Sequence, residues 1–280
     1  MLRGLYTSSS GMLTQQRVQE VKSNNMANLN TTGHKRDMSV KSEFSNMLIS
    51  RINDPENIGP PQSPQVDNRP YIGELGTGVL LDETVKDFSQ GPLKETGNTL
   101  DLGLEGDGFF TVNGPDGEEY FTRSGALTLS YDETSEEATL VTLQGDPVLG
   151  EEGIIQLSGE KDITVTENGA IYQGQDDEAE LIDNLALVNF ENPQGLARYG
   201  DNLLEQTEES GAPQELDLDG EDFGILSVHQ GKIESSNVNS VDEMTGMINA
   251  LRAYESNQRA IQGHDDTLER AVNDIGRPVT

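Results

Sequence analysis

Residues 244–275 run MTGMINALRAYESNQRAIQGHDDTLERAVNDI, and this stretch decides the fold. Met247, Tyr254, Ile261, Leu268 and Ile275 recur every seven residues. Met244, Leu251, Gln258, Asp265 and Val272 stand three before each, which gives a coiled-coil register. The first line is apolar throughout, whereas the second carries Gln258 and Asp265 in its middle. A helix with so wet a seam gains little alone, so the pattern predicts partners and assembly. Ser240 and Glu243 have capping-box spacing and mark the expected helix start, and no Pro interrupts it before Pro278.

Working outward, residues 5–28 also read as helix, rich in Gln, Met, Leu and Ala and free of Pro. Its apolar positions Leu5, Met12 and Met26 do not make one clean face, so its packing depends on neighbours. It should stop near Asn30-Thr31-Thr32-Gly33, where a glycine suited to positive φ follows three turn-prone residues. From Asp54 to Gly78 come Pro55, Pro60, Pro61, Pro64 and Pro70 with four glycines. This composition excludes helix and leaves two readings, a flexible linker or an extended arm laid against adjacent subunits.

Strand signals fill Val79 to about Ile233. Leu100, Leu102 and Leu104 alternate with polar residues. A hairpin turns at Pro115-Asp116-Gly117 between Phe109–Val112 and Tyr120–Thr122, and Asn168-Gly169 reads as a two-residue turn between Ile163–Val165 and Ala170–Tyr172. The fold class expected is α+β: terminal helices forming a coiled-coil-like pair, with an antiparallel β domain inserted between them. The boundaries read as 1–35 with 236–280 for the helices, 36–78 for the arm and 79–235 for the β domain.

The 280 residues carry a net charge of −32, are only 33% hydrophobic and include no Cys or Trp. Between Tyr131 and Asp222, 25 acids face only Lys161 and Arg198, while the first fifty residues are net basic. This balance argues against nucleic acid and anionic lipid, whose phosphates require a basic footprint. A surface so acidic suits high salt or alkaline surroundings. The lack of Cys excludes disulfides and thiolate metal sites. No apolar run has the length of a secretory signal or a membrane span.

Catalytic chemistry finds little support. His34, His229 and His264 are too scattered for a metal cluster by spacing, and no nucleophile elbow is present. Glu215-Leu216-Asp217-Leu218-Asp219-Gly220 imitates the start of a calcium loop, but Glu replaces the first Asp and Leu226 stands where a bidentate Glu should close the site. A charged turn accounts for it better. No catalytic residue, cofactor or metal is assigned.

Ser9-Ser10-Gly11-Met12, with Asn24-Asn25-Met26-Ala27-Asn28-Leu29-Asn30-Thr31-Thr32-Gly33-His34-Lys35-Arg36, resembles the opening signature of the bacterial flagellar rod and hook proteins. His34 occupies a position often aromatic in that family. The resemblance recurs in Leu104–Phe110, Tyr120–Gly125, Gly145–Gly150, Asn189–Leu196, Gly200–Leu203 and Ser210–Pro213, and at the C-terminus in Ser236–Asn239 and Leu251–Asn257. It thus covers nearly the whole chain. The length and single β domain look more like rod than hook, and Met1–Tyr6 with Phe44–Arg51 is similar to rod proteins of Gram-positive bacteria.

The resemblance implies a structural rod subunit of the basal body, exported by the flagellar apparatus without a cleaved signal. Its partners would be other rod and hook subunits and further copies of itself in a helical tube that transmits motor torque and encloses the export channel. With the heptads, it places Asn24, Asn25, Ala27, Asn28, Thr31, Gly33 and Lys35, and Met244, Met247, Leu251, Tyr254, Gln258, Ile261, Leu268, Val272 and Ile275, at subunit contacts. The competing class is a secreted calcium- or glycan-binding β protein with coiled-coil ends.

Overall fold

The computed structural model describes all residues except 1, 52–54, 57–65, 68–70, 132–136, 159–161, 175–178, 201, 217–225 and 276–280. Two helices, α1 (Leu2–Ala27) and α2 (Ser240–Ile275), flank a succession of antiparallel strands. The chain divides into two units. One comprises Met1–Ser23, Met38–Val85 and Val241–Thr280; the other comprises Asn24–Asp37 and Lys86–Ser240. The α+β architecture is the one expected.

In the first unit α1 and α2 run antiparallel, with a register set by glycines. A Cβ built on Gly4 would collide with the His264 ring, one on Gly11 would lie 2.7 Å from Asn257 Nδ2, and one on Gly246 would strike the Lys22 side chain. Each seven-residue step up α1 is thus a seven-residue step down α2. Lys22 Nζ meets Glu243 Oε2 at 3.1 Å. Glu243 is therefore engaged with α1, not confined to the capping role its spacing suggested.

The less exposed positions of α2 include 243, 247, 250, 254, 257, 261, 264, 268 and 271, spaced alternately four and three, with Ser240, Gly246 and Ala253 beside them. Met247, Tyr254, Ile261 and Leu268 are half-buried as the heptads required. Their companion line, however, is Ala250, Asn257, His264 and Ala271, three residues after each rather than three before. Met244, Leu251, Gln258, Asp265 and Val272 face solvent. The correction has a physical cause: α1 presents Gly4 and Gly11, and glycine gives room for Asn257 and His264, polar side chains that an apolar count passes over. Ile275 closes the helix, and its side chain lies outside the described residues.

Residues 36–78 also depart from a bare arm. Arg36–Glu43 pairs with Val79–Asp87, and Met47–Ser50 pairs antiparallel with Tyr71–Leu75, Met47 opposite Leu75. Pro55–Glu56 pairs with Val66–Asp67. The segment is a two-stranded ribbon that goes out and returns, and the expected boundary at 79 is the first residue of its returning strand. Of the prolines, Pro55 stands in a paired strand; Pro60, Pro61, Pro64 and Pro70 lie outside the described residues, as does most of the calcium-like string at 217–220.

The second unit is built on a six-stranded antiparallel sheet in the order Ala197–Tyr199, Leu203–Glu205, Glu119–Thr122, Phe109–Asn113, Leu187–Asn189, Gln214–Glu215. Alternation along its strands supplies two cores. Phe110, Val112 and Tyr120 join Leu104, Leu140, Ile171 and Val228 on one face. Phe109, Phe121 and Val188 join Phe190, Leu196 and Leu204 on the other. There the rings of Phe121 and Phe190 meet edge-on at 4.8 Å, and those of Phe109 and Phe190 at 5.9 Å.

Three hairpin loops repeat one solution. Gly114 N–H bonds Glu118 O, Thr142 N–H bonds Asp146 O, and Thr166 N–H bonds Ala170 O. Each encloses three residues, the last being Gly117, Gly145 or Gly169 with φ of 80°, 98° and 82°. The turn expected at Asn168-Gly169 is present, one residue longer than the two-residue type, because Gly169 supplies a left-handed bulge.

Phe110 has no exposed surface. Phe110→Ala is expected to lower the stability of the sheet unit by about 3–5 kcal/mol, read as a fall in the urea midpoint by circular dichroism.

Candidate assembly interface

The two units treat apolar residues in opposite ways. Among the described residues, the buried hydrophobic side chains of the helical unit are Val18 and Ala250, and the remainder belong to the sheet unit. Of the eighteen large hydrophobic side chains left exposed, fourteen lie on the helical unit. Val241, Met244, Ile248 and Leu251 are 67%, 53%, 51% and 46% exposed and form a stripe of three- and four-residue steps along the outer face of α2. Tyr6 and Leu13, seven apart, stand out from α1. Met38, Val40, Phe44, Met47, Leu48, Tyr71 and Ile72 do so from the ribbon. Contiguous apolar surface of this kind marks contact with other protein.

The turn after α1 is held by a different kind of contact. Asn25 is fully buried, its Nδ2 donating to Asp37 O at 2.8 Å while its Oδ1 accepts Asp37 N–H at 2.9 Å. Asn28 Nδ2 donates to Asn24 O, and Thr31 Oγ1 donates to Asn28 Oδ1. Gly33, at φ 69°, lies so near Arg123 and Ser124 that a Cβ would come within 2.5 Å of the Ser124 nitrogen, so only glycine fits. Its N–H donates to Glu234 O at 2.9 Å.

Glu234 ends the strand Lys232–Glu234 opposite Leu93 and is 2% exposed. Its Oε1 accepts Lys35 Nζ at 2.7 Å and Gly91 N–H at 2.7 Å, and its Oε2 accepts Arg123 Nε at 2.6 Å. Arg123 also donates to the carbonyls of Gly108, Gly106 and Leu104, and Lys35 to that of Ser89. Burial pulls the Lys35 ammonium below its ordinary value, and Glu234 opposes that pull. Asn237 repeats the Asn25 device, accepting Arg36 N–H at 2.8 Å and donating to Asp87 O at 2.8 Å.

These placements divide the expected contact residues. Asn25, Gly33 and Lys35 are held inside their own chain by the bonds above, so they build the subunit. Asn24 and Ala27 are exposed, and Asn28 and Thr31 half-buried. Met244, Leu251, Gln258, Asp265 and Val272 are free for neighbours, whereas Met247, Tyr254, Ile261 and Leu268 sit on the side of α2 that meets α1. Reading the sequence missed Val241 and Ile248, which complete the outer stripe at three- and four-residue spacing. It also missed Glu234, which stands 199 residues from Lys35 and carries no local signal.

Comparison with known proteins covers the same ground. Residues 5–35 match the family of flagella basal body rod proteins, residues 103–173 the D1 domain of the flagellar hook protein FlgE/F/G family, and residues 229–274 the C-terminal region of the flagellar basal body rod FlgEFG proteins. The flagellar basal-body rod protein FlgG of Borreliella burgdorferi is 35% identical over 277 residues, covering 98% of each chain. Two Bacillus subtilis proteins, the flagellar hook-basal body complex protein FlhO and the rod protein FlgG, are 32% and 33% identical over 99% and 98% of this chain. The chain belongs to the flagellar basal-body rod proteins. It is a structural subunit of the rod, located in the basal body of the bacterial flagellum. In this rod protein the N-terminal family match ends at Lys35, the residue that Glu234 holds.

Two outcomes follow for the rod protein. Glu234→Gln leaves Lys35 and Arg123 buried without their carboxylate and is expected to cost about 3–5 kcal/mol in urea unfolding. His34 is buried, and that burial, with Arg198 and Lys86, holds its imidazole below the ordinary value against an opposing pull from Asp37. Between the folded and unfolded values the unfolded chain binds the extra proton. Stability from this group is therefore complete above about pH 6.5 and falls as the pH drops toward the folded value. In His34→Phe this limb of the stability–pH curve should be flat.

Proposed function

We propose that the subunit self-assembles through the helical unit. The outer stripe of α2, together with the exposed ribbon, packs against neighbouring axial subunits to form the inner wall of a helical tube. The observation that supports this reading is the inverted burial of the helical unit, which folds around Val18 and Ala250 but displays fourteen large apolar side chains. A free chain in that state has little holding its helix pair together, and neighbours supply the missing surface. The role is mechanical and involves no catalysis. Torque from the motor passes to the hook through many such contacts, and the tube encloses the export channel. The partners are other rod and hook subunits, and the flagellar export apparatus during secretion.

In this reading the acidic sheet units form the outer layer, where 25 acids between Tyr131 and Asp222 suit salt-rich surroundings. Ile248→Glu with Leu251→Glu alters only half-exposed positions on the outer face. The purified double variant should melt within a degree or two of the parent. Cells carrying it should be non-motile, with basal bodies whose rods are truncated in electron micrographs. Rods of normal length would remove the outer stripe from the interface.

A further inference from the structure

Beside the turn that carries Lys35 lies a cavity of about 30 Å3, lined by His34, Lys35, Lys86, Arg123 and Arg198 with Asn202. No carboxylate is among its described lining residues. A single water needs roughly 10–15 Å3, so this volume accommodates one monatomic anion or the end of a carboxylate. In a chain with a net charge of −32, so many cations around one small space are out of keeping with the composition.

Two observations say what belongs there. The His34 side chain is nine-tenths buried, and its Nε2 has no hydrogen-bonding partner among the described residues. Lys35 and Arg123, both 5% exposed in their side chains, share the one carboxylate of Glu234, an excess of one positive charge in a buried setting. Asp107 acts on Lys35 only from farther off. Lys86 in turn leans on Asp37 at 3.3 Å, which Arg198 also approaches at 3.7 Å. A buried charge in excess is stabilised by an opposite one, and a buried ring nitrogen that carries its proton at Nε2 by an acceptor. A compact anion satisfies both.

We propose that this cavity binds one compact anion, held by the Nε2–H of His34 and by the field of Lys35, Lys86 and Arg123. Its source is either free halide or the carboxylate of an acidic side chain. The site belongs to the sheet unit and does not depend on how the rod assembles.

The test is a set of thermal melts of the full chain at pH 8, at constant sodium and ionic strength, with isethionate, a bulky reference anion, replaced by chloride, bromide or acetate. Chloride and bromide should raise the melting temperature saturably. Lys86→Gln, at a partly exposed lining position, should weaken the apparent affinity by about fivefold, and His34→Phe should remove the effect. Bromide-soaked crystals should show an anomalous peak within hydrogen-bonding distance of His34 Nε2. Stabilisation by acetate but not by halide would assign the site to carboxylates. Equal melting in all four anions, or an unchanged halide response in Lys86→Gln, would overturn the proposal.

Discussion

The Glu234 carboxylate, with Lys35 on one oxygen and Arg123 on the other, is the contact on which the rest of the sheet unit's edge depends. Three distant parts of the chain meet there: the turn after α1, the loop after the strand Glu119–Thr122, and the strand that leads toward α2. An ion triad at this depth gains little over a well-packed apolar cluster in net stability, because desolvation offsets most of the attraction. What it supplies is a single geometry. A carboxylate with both oxygens committed fixes Lys35, Arg123 and the Gly91 amide at once, and the Gly33 backbone is set by the same residue. The asparagines at 25 and 237 extend the arrangement, each gripping a backbone amide and a carbonyl as a neighbouring strand would.

Such rigidity at the turn contrasts with the helices. The sheet unit has two cores packed on both faces of its central strands, so it can stand on its own hydrophobic burial. The helix pair has a seam in which Met247, Tyr254, Ile261 and Leu268 alternate with small and polar side chains, and its remaining large apolar residues, Val241, Met244, Ile248, Leu251 and Val272 among them, are exposed. One part carries its core inside, while the other carries much of its apolar surface outside. The sequence similarity of both parts to rod proteins agrees with that division of labour.

How much of this could be read from the chain follows from the physics of each element. The line Met247, Tyr254, Ile261 and Leu268 was legible because every member is apolar and the period is seven. Its companions were not, because Asn257 and His264 become seam residues only opposite Gly11 and Gly4, and a glycine in a helix looks like a flaw until its neighbour is known. Two of the hairpins showed through Gly117 and Gly169, since positive φ leaves few other choices, whereas the loop at Gly145 was hidden because Leu143 within it continues the apolar pattern of the strand. The strand pairing within 36–78 was hidden because its prolines and glycines argue against regular structure and say little about residues 36–50 and Tyr71–Leu75, which carry the pairing. Lys35 was marked by its motif, but its counterion lies in a strand whose sequence, Lys-Ile-Glu, gives no hint of a buried charge.

The glycine seam also fixes a length. Sliding α2 by one heptad along α1 is the natural error for a seven-residue pattern, a displacement of about 10 Å. Slipped one way, Asn257 would lie over Val18 in place of a glycine; slipped either way, Lys22 would lose Glu243. The pair therefore behaves as a ruler, in which the place of one helix along the other is set by side-chain identity.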